Sequence, residues 1–131
     1  MYMSKMSDTA LDALITLEQD TREYGFDWPN QEMIIDQAIS ECEEIREAIL
    51  HKEPPHRIRE EIGDLLHTAI SLCIFSGYDV KDTLANVNEK FEARMSALKK
   101  IANERGLEDL KGQPIEFMLE LWREAKKQSK R

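Results

Sequence analysis

Two pairs of carboxylates stand at helical spacing inside otherwise apolar patterns, Glu41 and Glu44 in I-S-E-C-E-E-I-R-E-A-I and Glu61 and Asp64 in R-E-E-I-G-D-L-L. On an α-helix, i,i+3 partners lie about 60° of arc and about 4.5 Å of rise apart, so each pair can converge on one ion. The first pair intrudes on a stripe formed by Ile34, Ala38, Ile45, Ala48 and Ile49. The second does the same to Ile58, Ile62, Leu65, Ala69 and Leu72. A carboxylate turned towards a packed interior is costly unless it is paired or bound to metal. Between the pairs lies a short connector centred on Pro54 and Pro55, which returns the chain as an antiparallel helix pair. That hairpin sets the two carboxylate pairs side by side, where mutual repulsion calls for a divalent cation. Oxygen-only ligation selects Mg²⁺, with Mn²⁺ as the other hard ion of suitable size.

Further along, Lys90 and Arg94 form an i,i+4 basic pair, and Asn88 adjoins the apolar stripe of the same segment. On a solvated flank they are ordinary surface; packed near the carboxylates, they become the cationic and amide donors that a polyphosphate needs beyond its metal. In the turn G-F-D-W-P-N, Trp28 and Phe26 either plug a bundle end or wall a pocket for a flat ring such as a nucleobase. His67 continues the Glu61, Asp64 series but has turned about 120° from Glu61, which places it on the pocket rim or helix flank. Gly63, mid-helix, costs roughly 1 kcal/mol against alanine, which close approach of another helix or of substrate would offset. No Ser or Cys has an adjacent base, so direct attack by water is preferred to a covalent intermediate.

The elements that must position these groups read as helices throughout. The chain has 131 residues, 41% hydrophobic and 34% charged, with 5 Gly and 4 Pro and no run of alternating β-branched residues. This is enough for one all-α domain, expected over 7–127 with flexible ends at 1–6 and 128–131. Helix starts are expected at Ser7 or Asp8, after the Asn30 cap, after Pro55 and at Asp79 or Asp82, with stops at Gly25, His51, Gly77 and Gly106. A shorter amphipathic helix carrying Phe117, Met118, Leu121 and Trp122 ends in a basic tail. The expected fold class is thus a four-helix-bundle-type all-α domain with an additional short C-terminal helix. A net charge of −8 argues against binding a nucleic-acid polymer. No apolar run is long enough for a membrane span, and Cys42 and Cys73 fall in apolar helical patterns as buried free thiols do, so a cytoplasmic protein is expected.

The spacing E-x-x-E followed by E-x-x-D, with G-F-D-W-P-N ahead of it, N-E-K-F-E-A-R at Asn88 to Arg94 and L-W-R-E-A-K at Leu121 to Lys126, resembles the MazG-type nucleoside triphosphate pyrophosphohydrolases. These belong to the all-α pyrophosphatase superfamily, and the similarity covers about Glu18 to Lys126. The resemblance implies that Glu41, Glu44, Glu61 and Asp64 are metal ligands for Mg²⁺, and that Asn88, Lys90 and Arg94 face the phosphates or their neighbours; Trp28 is the candidate substrate contact read from its place in the turn. It implies cleavage of a nucleoside triphosphate between the α and β phosphates, in a homo-oligomer that is a dimer or a tetramer; of the carboxylates, Glu41 or Glu44 is the expected acceptor of the attacking water's proton. One position departs from the family's E-E-x-x-E: Ser40 stands where the first Glu is usual. Adjacent residues on a helix point about 100° apart, so Ser40 bears on the surroundings of the ion rather than on its ligands. The alternatives are an inactive metal-binding helical interaction module of the same fold and, more remotely, a di-iron bundle, for which only Asp64 and His67 approximate the required pairing.

Overall fold

Where each helix starts and stops follows from a few residues. The computed structural model describes residues 9–130, which form five α-helices and no strand: α1 (Thr9–Tyr24), α2 (Gln31–Leu50), α3 (Pro55–Phe75), α4 (Val80–Glu104) and α5 (Ile115–Gln128). The fold is all-α, with the short additional helix at the C-terminal end. The expected start at Ser7 or Asp8 and the ends expected to be flexible, 1–6 and Arg131, lie outside the described residues; Gln128 still belongs to α5.

Asn30 caps α2, its side-chain oxygen accepting from the Met33 N–H at 2.9 Å. Four helices end in the same way, with one residue in the left-handed region and the following N–H donating five residues back. Gly25, Gly77 and Gly106 serve α1, α3 and α4. After α2 the left-handed residue is Lys52, at φ 53°, followed by a 3.0 Å bond from the Glu53 N–H to the Ala48 carbonyl. There a β-carbon is held where glycine is usual.

The chain gathers into two compact units, one reaching to Val80 and the other running from Lys81 onward. In the first, α2 and α3 pack along their length and α1 contacts α3. The pair is antiparallel: Gln31 at the start of α2 donates to Ser76 at the end of α3 (2.8 Å), while Glu44 near the end of α2 meets Glu61 near the start of α3. The stripes are narrower than their sequence suggests. Ile34 and Ala48 are buried, but Ile49 and Ile62 are exposed. Cys42 is exposed rather than buried, because it faces away from the side that carries Glu41 and Ala48. Apart from its chain neighbours and the backbone of its own helix, Gly63 has no described atom within 4 Å of where a β-carbon would stand, so packing against another described helix is not what offsets its cost.

In the second unit the core is formed by Leu98, Ile101 and Ala102 of α4 against Leu121 and Ala125 of α5, with Phe117 and Trp122 at its margin. Only the C-terminal half of the α4 stripe is covered in this way; Leu84, Val87 and Phe91 are exposed.

Candidate functional site

The hairpin register brings the carboxylates of α2 and α3 together. Glu44 and Glu61 meet carboxyl against carboxyl across the hairpin. That contact is the main reason the Glu61 carboxyl sits above its usual range; desolvation and the Glu44 charge add to it, Arg57 opposes it and Asp64 contributes a smaller push upward. Glu61 is nearly enclosed, its side chain 14% exposed, and Glu41 is buried at 7%. Glu44 and Asp64 are exposed. Gln37 donates to Glu41 Oε2 at 3.2 Å, one turn earlier on α2. Arg57 spans three carboxylates of its own neighbourhood, Glu60 at 3.1 Å and Glu53 and Glu61 at 3.6 Å.

Two buried oxygens, Glu41 Oε1 and Glu61 Oε2, have no hydrogen-bond partner. Unpartnered buried carboxylate oxygens are costly, and a hard divalent cation is the ligand that satisfies them. In donor type the residues therefore fit Mg²⁺ or Mn²⁺. Among the described residues no three acidic, thiol or imidazole side chains stand as a finished ion cage. The arrangement is a facing pair, Glu44 and Glu61, with Glu41 and Asp64 each one turn away along their helices.

Trp28 lies in the same unit, on the wall of a cleft of about 470 Å³ that Leu14, Leu17, Phe26 and Thr68 also line. Its indole N–H donates to Ser71 Oγ at 3.0 Å. Ser71 in turn donates to Glu18 Oε1 (3.1 Å) and accepts from Arg22 Nη2 (3.1 Å), which also reaches the Ser71 carbonyl at 3.0 Å. Arg22 is anchored further by Asp27 at 3.2 Å and lies over the Phe75 ring. His67 contacts the second Glu18 oxygen at the cleft rim. Glu18, Arg22 and Ser71 did not stand out in the sequence, although Glu18 and Arg22 are an i,i+4 pair and Ser71 lies two turns from Asp64 on one side of α3.

Asn88, Lys90 and Arg94 belong to the second unit. Lys90 and Arg94 line a basic cleft of about 660 Å³ with Lys126, Lys127 and Lys130, and the Arg94 guanidinium lies over the Trp122 ring at 5.8 Å. Asn88 is exposed and does not line that cleft. The contribution of Lys126 and Lys127 was hidden in what reads as a basic tail. Among the described residues no helix is long and apolar enough to cross a membrane.

Residues 30–98 match the model of the MazG nucleotide pyrophosphohydrolase domain. The chain is 33% identical over 108 residues to the nucleoside triphosphate pyrophosphohydrolase of Escherichia coli K12, an alignment covering 79% of this chain and 40% of that protein. It is 30% identical over 117 residues to the nucleoside triphosphate pyrophosphohydrolase/pyrophosphatase MazG of Thermotoga maritima, covering 89% and 44%. The chain thus spans less than half the length of these curated relatives. Since the matched segment takes in both carboxylate-bearing helices and more than half of the chain, the protein belongs to the MazG nucleotide pyrophosphohydrolase domain family.

Proposed function

We propose that the protein is a Mg²⁺-dependent nucleoside triphosphate pyrophosphohydrolase, splitting its substrate between the α and β phosphates into a nucleoside monophosphate and pyrophosphate. The observation that carries this reading is the meeting of Glu44 and Glu61 beside two buried, unpartnered carboxylate oxygens. The names of the two relatives support the substrate class. Glu41, Glu44, Glu61 and Asp64 would hold the ion, which when bound neutralises phosphate charge and acidifies a bound water.

The protein's own groups have separate tasks. Glu41 or Glu44, whichever carboxylate the ion leaves less engaged, accepts the proton of the attacking water. The water oxygen joins one phosphoryl group, the α–β bridging bond breaks, and the bridging oxygen leaves with the other product. In the first unit Trp28 walls the ring end; Lys90 and Arg94, with Asn88 on the same helix, are the cationic and amide donors that the second unit offers to a phosphorylated ligand. The net charge of −8 makes a metal-bound small phosphorylated substrate a better fit than a nucleic-acid polymer. A homo-oligomer, dimeric or tetrameric, is part of this reading, supported by Ile39 of α2 and Ile62 and Leu66 of α3, which leave apolar surface uncovered. A cytoplasmic setting agrees with two free cysteines.

The test is pyrophosphate release from a panel of ribo- and deoxynucleoside triphosphates, with and without Mg²⁺. Metal-dependent release that disappears in the Glu61→Ala, Asp64→Ala double variant is the expected result. Release that survives the double substitution overturns the assignment, and metal binding without any turnover points to the inactive module.

A further inference from the structure

The cleft beside Trp28 has the parts of a ring pocket and one feature that would choose among rings. Its walls are apolar, from Leu14, Leu17, Phe26 and the face of Trp28, and its volume falls in the range of small-molecule sites. The indole is fixed before any ligand arrives, because its N–H is committed to Ser71, a residue only 2% exposed and itself held by Glu18 and Arg22. Thr68 and Ser71 follow Asp64 on α3 by one and two turns, about 6 Å and about 10 Å along the axis. That offset is the order of a sugar between a phosphate end and a base.

The two oxygens of Glu18 are not equivalent. Oε1 is taken by Ser71 and Arg22, both inside the protein. Oε2 has one partner among the described residues, Nε2 of His67, whose side chain is 53% exposed at the cleft rim, where a ligand can reach it. The Glu18 side chain itself is 12% exposed and borders the cleft. A ring that displaces His67 meets a carboxylate oxygen whose companion oxygen is already engaged. An exocyclic amino group donates to that oxygen in a charge-assisted bond, whereas a ring carbonyl sets oxygen against oxygen.

We propose that this cleft receives the nucleobase and that Glu18 Oε2 selects bases presenting an amino group, cytosine and adenine before uracil and hypoxanthine. The proposal rests on the reading of the carboxylate pairs as the triphosphate end. Its test does not depend on hydrolysis. In the full chain carrying Trp122→Phe, Trp28 is the one remaining indole, and its fluorescence is titrated with cytidine and uridine, then adenosine and inosine, in the presence of a chelator. The expected result is saturable quenching, with the amino member of each pair binding about tenfold tighter or more. In Glu18→Gln the amide oxygen keeps Ser71 and Arg22 and the NH₂ turns to the cleft, so the cytidine preference falls to parity or inverts.

Equal affinities within both pairs, or no saturable quenching by any nucleoside, overturn the proposal without reference to the variant's folding. An unchanged preference in a folded Glu18→Gln protein does the same. Pyrophosphate release without an amino preference leaves the proposed function standing and removes this inference. Selective nucleoside binding without turnover does the reverse.

Discussion

Replacing Ser71 by alanine isolates what holds the Trp28 wall in place. The hydroxyl accepts from the Trp28 indole at 3.0 Å and from Arg22 at 3.1 Å, and donates to Glu18 at 3.1 Å, in a residue that is almost wholly buried. Arg22 loses little, since it keeps the Ser71 carbonyl, Glu18 and Asp27. Glu18 keeps Arg22 and His67. The indole N–H, by contrast, has no second acceptor among the described residues, and a polar group left unpaired in a largely buried place costs about 1–3 kcal/mol. The expected loss is therefore about 2 kcal/mol, read as a lower urea midpoint at unchanged slope and accompanied by a red-shifted Trp28 emission. Thr21→Ala is the matched control: its hydroxyl bonds only to the Leu17 carbonyl of its own helix, in an exposed setting, and should cost within about 0.5 kcal/mol. If Ser71→Ala unfolds at the same midpoint as Thr21→Ala and Trp28 emits as before, the network does not hold the wall.

Two further outcomes follow from local features. The raised Glu61 carboxyl stabilises the fold fully below its usual value of 4.5 and loses that contribution as pH rises through its higher folded value, so metal-free protein should gain stability as pH drops from neutral towards that range. Glu61→Gln should melt above wild type at pH 7 in chelator, with the gap closing in acid; a gap independent of pH contradicts a raised Glu61 carboxyl. Lys52 occupies a left-handed position at φ 53°, so Lys52→Gly should raise stability by about 1 kcal/mol in urea unfolding, the relief of the β-carbon exceeding the added chain entropy. A loss of stability there means that the Lys52 side chain makes a contribution larger than the strain.

The helices and the carboxylate pairing were legible in the residues because they depend on local rules. Asn30, Gly25, Gly77 and Gly106 announce helix ends through capping and chirality, and i,i+3 spacing with a short proline connector is enough to set Glu44 against Glu61. The cleft was half legible: Trp28 stood out by type, and His67 was expected at a rim. Glu18 and Ser71 did not stand out, since their meaning comes from the packing of α1 on α3, and no periodicity reveals which polar residue of one helix will find a polar residue of another. The stripes misled in one consistent way. Periodicity says which residues share a face, but not how far along its length a neighbour covers that face, so Ile49, Ile62 and the Leu84 to Phe91 part of α4 were expected inside and lie outside. Cys42 followed the same error.

Arg57 gives the acidic hairpin a resident positive charge. Its guanidinium bridges Glu53, Glu60 and Glu61 at the start of α3, so part of the negative charge there is offset from within the chain. On the proposed function, an ion would meet a Glu61 side chain already tethered to Arg57 of its own helix.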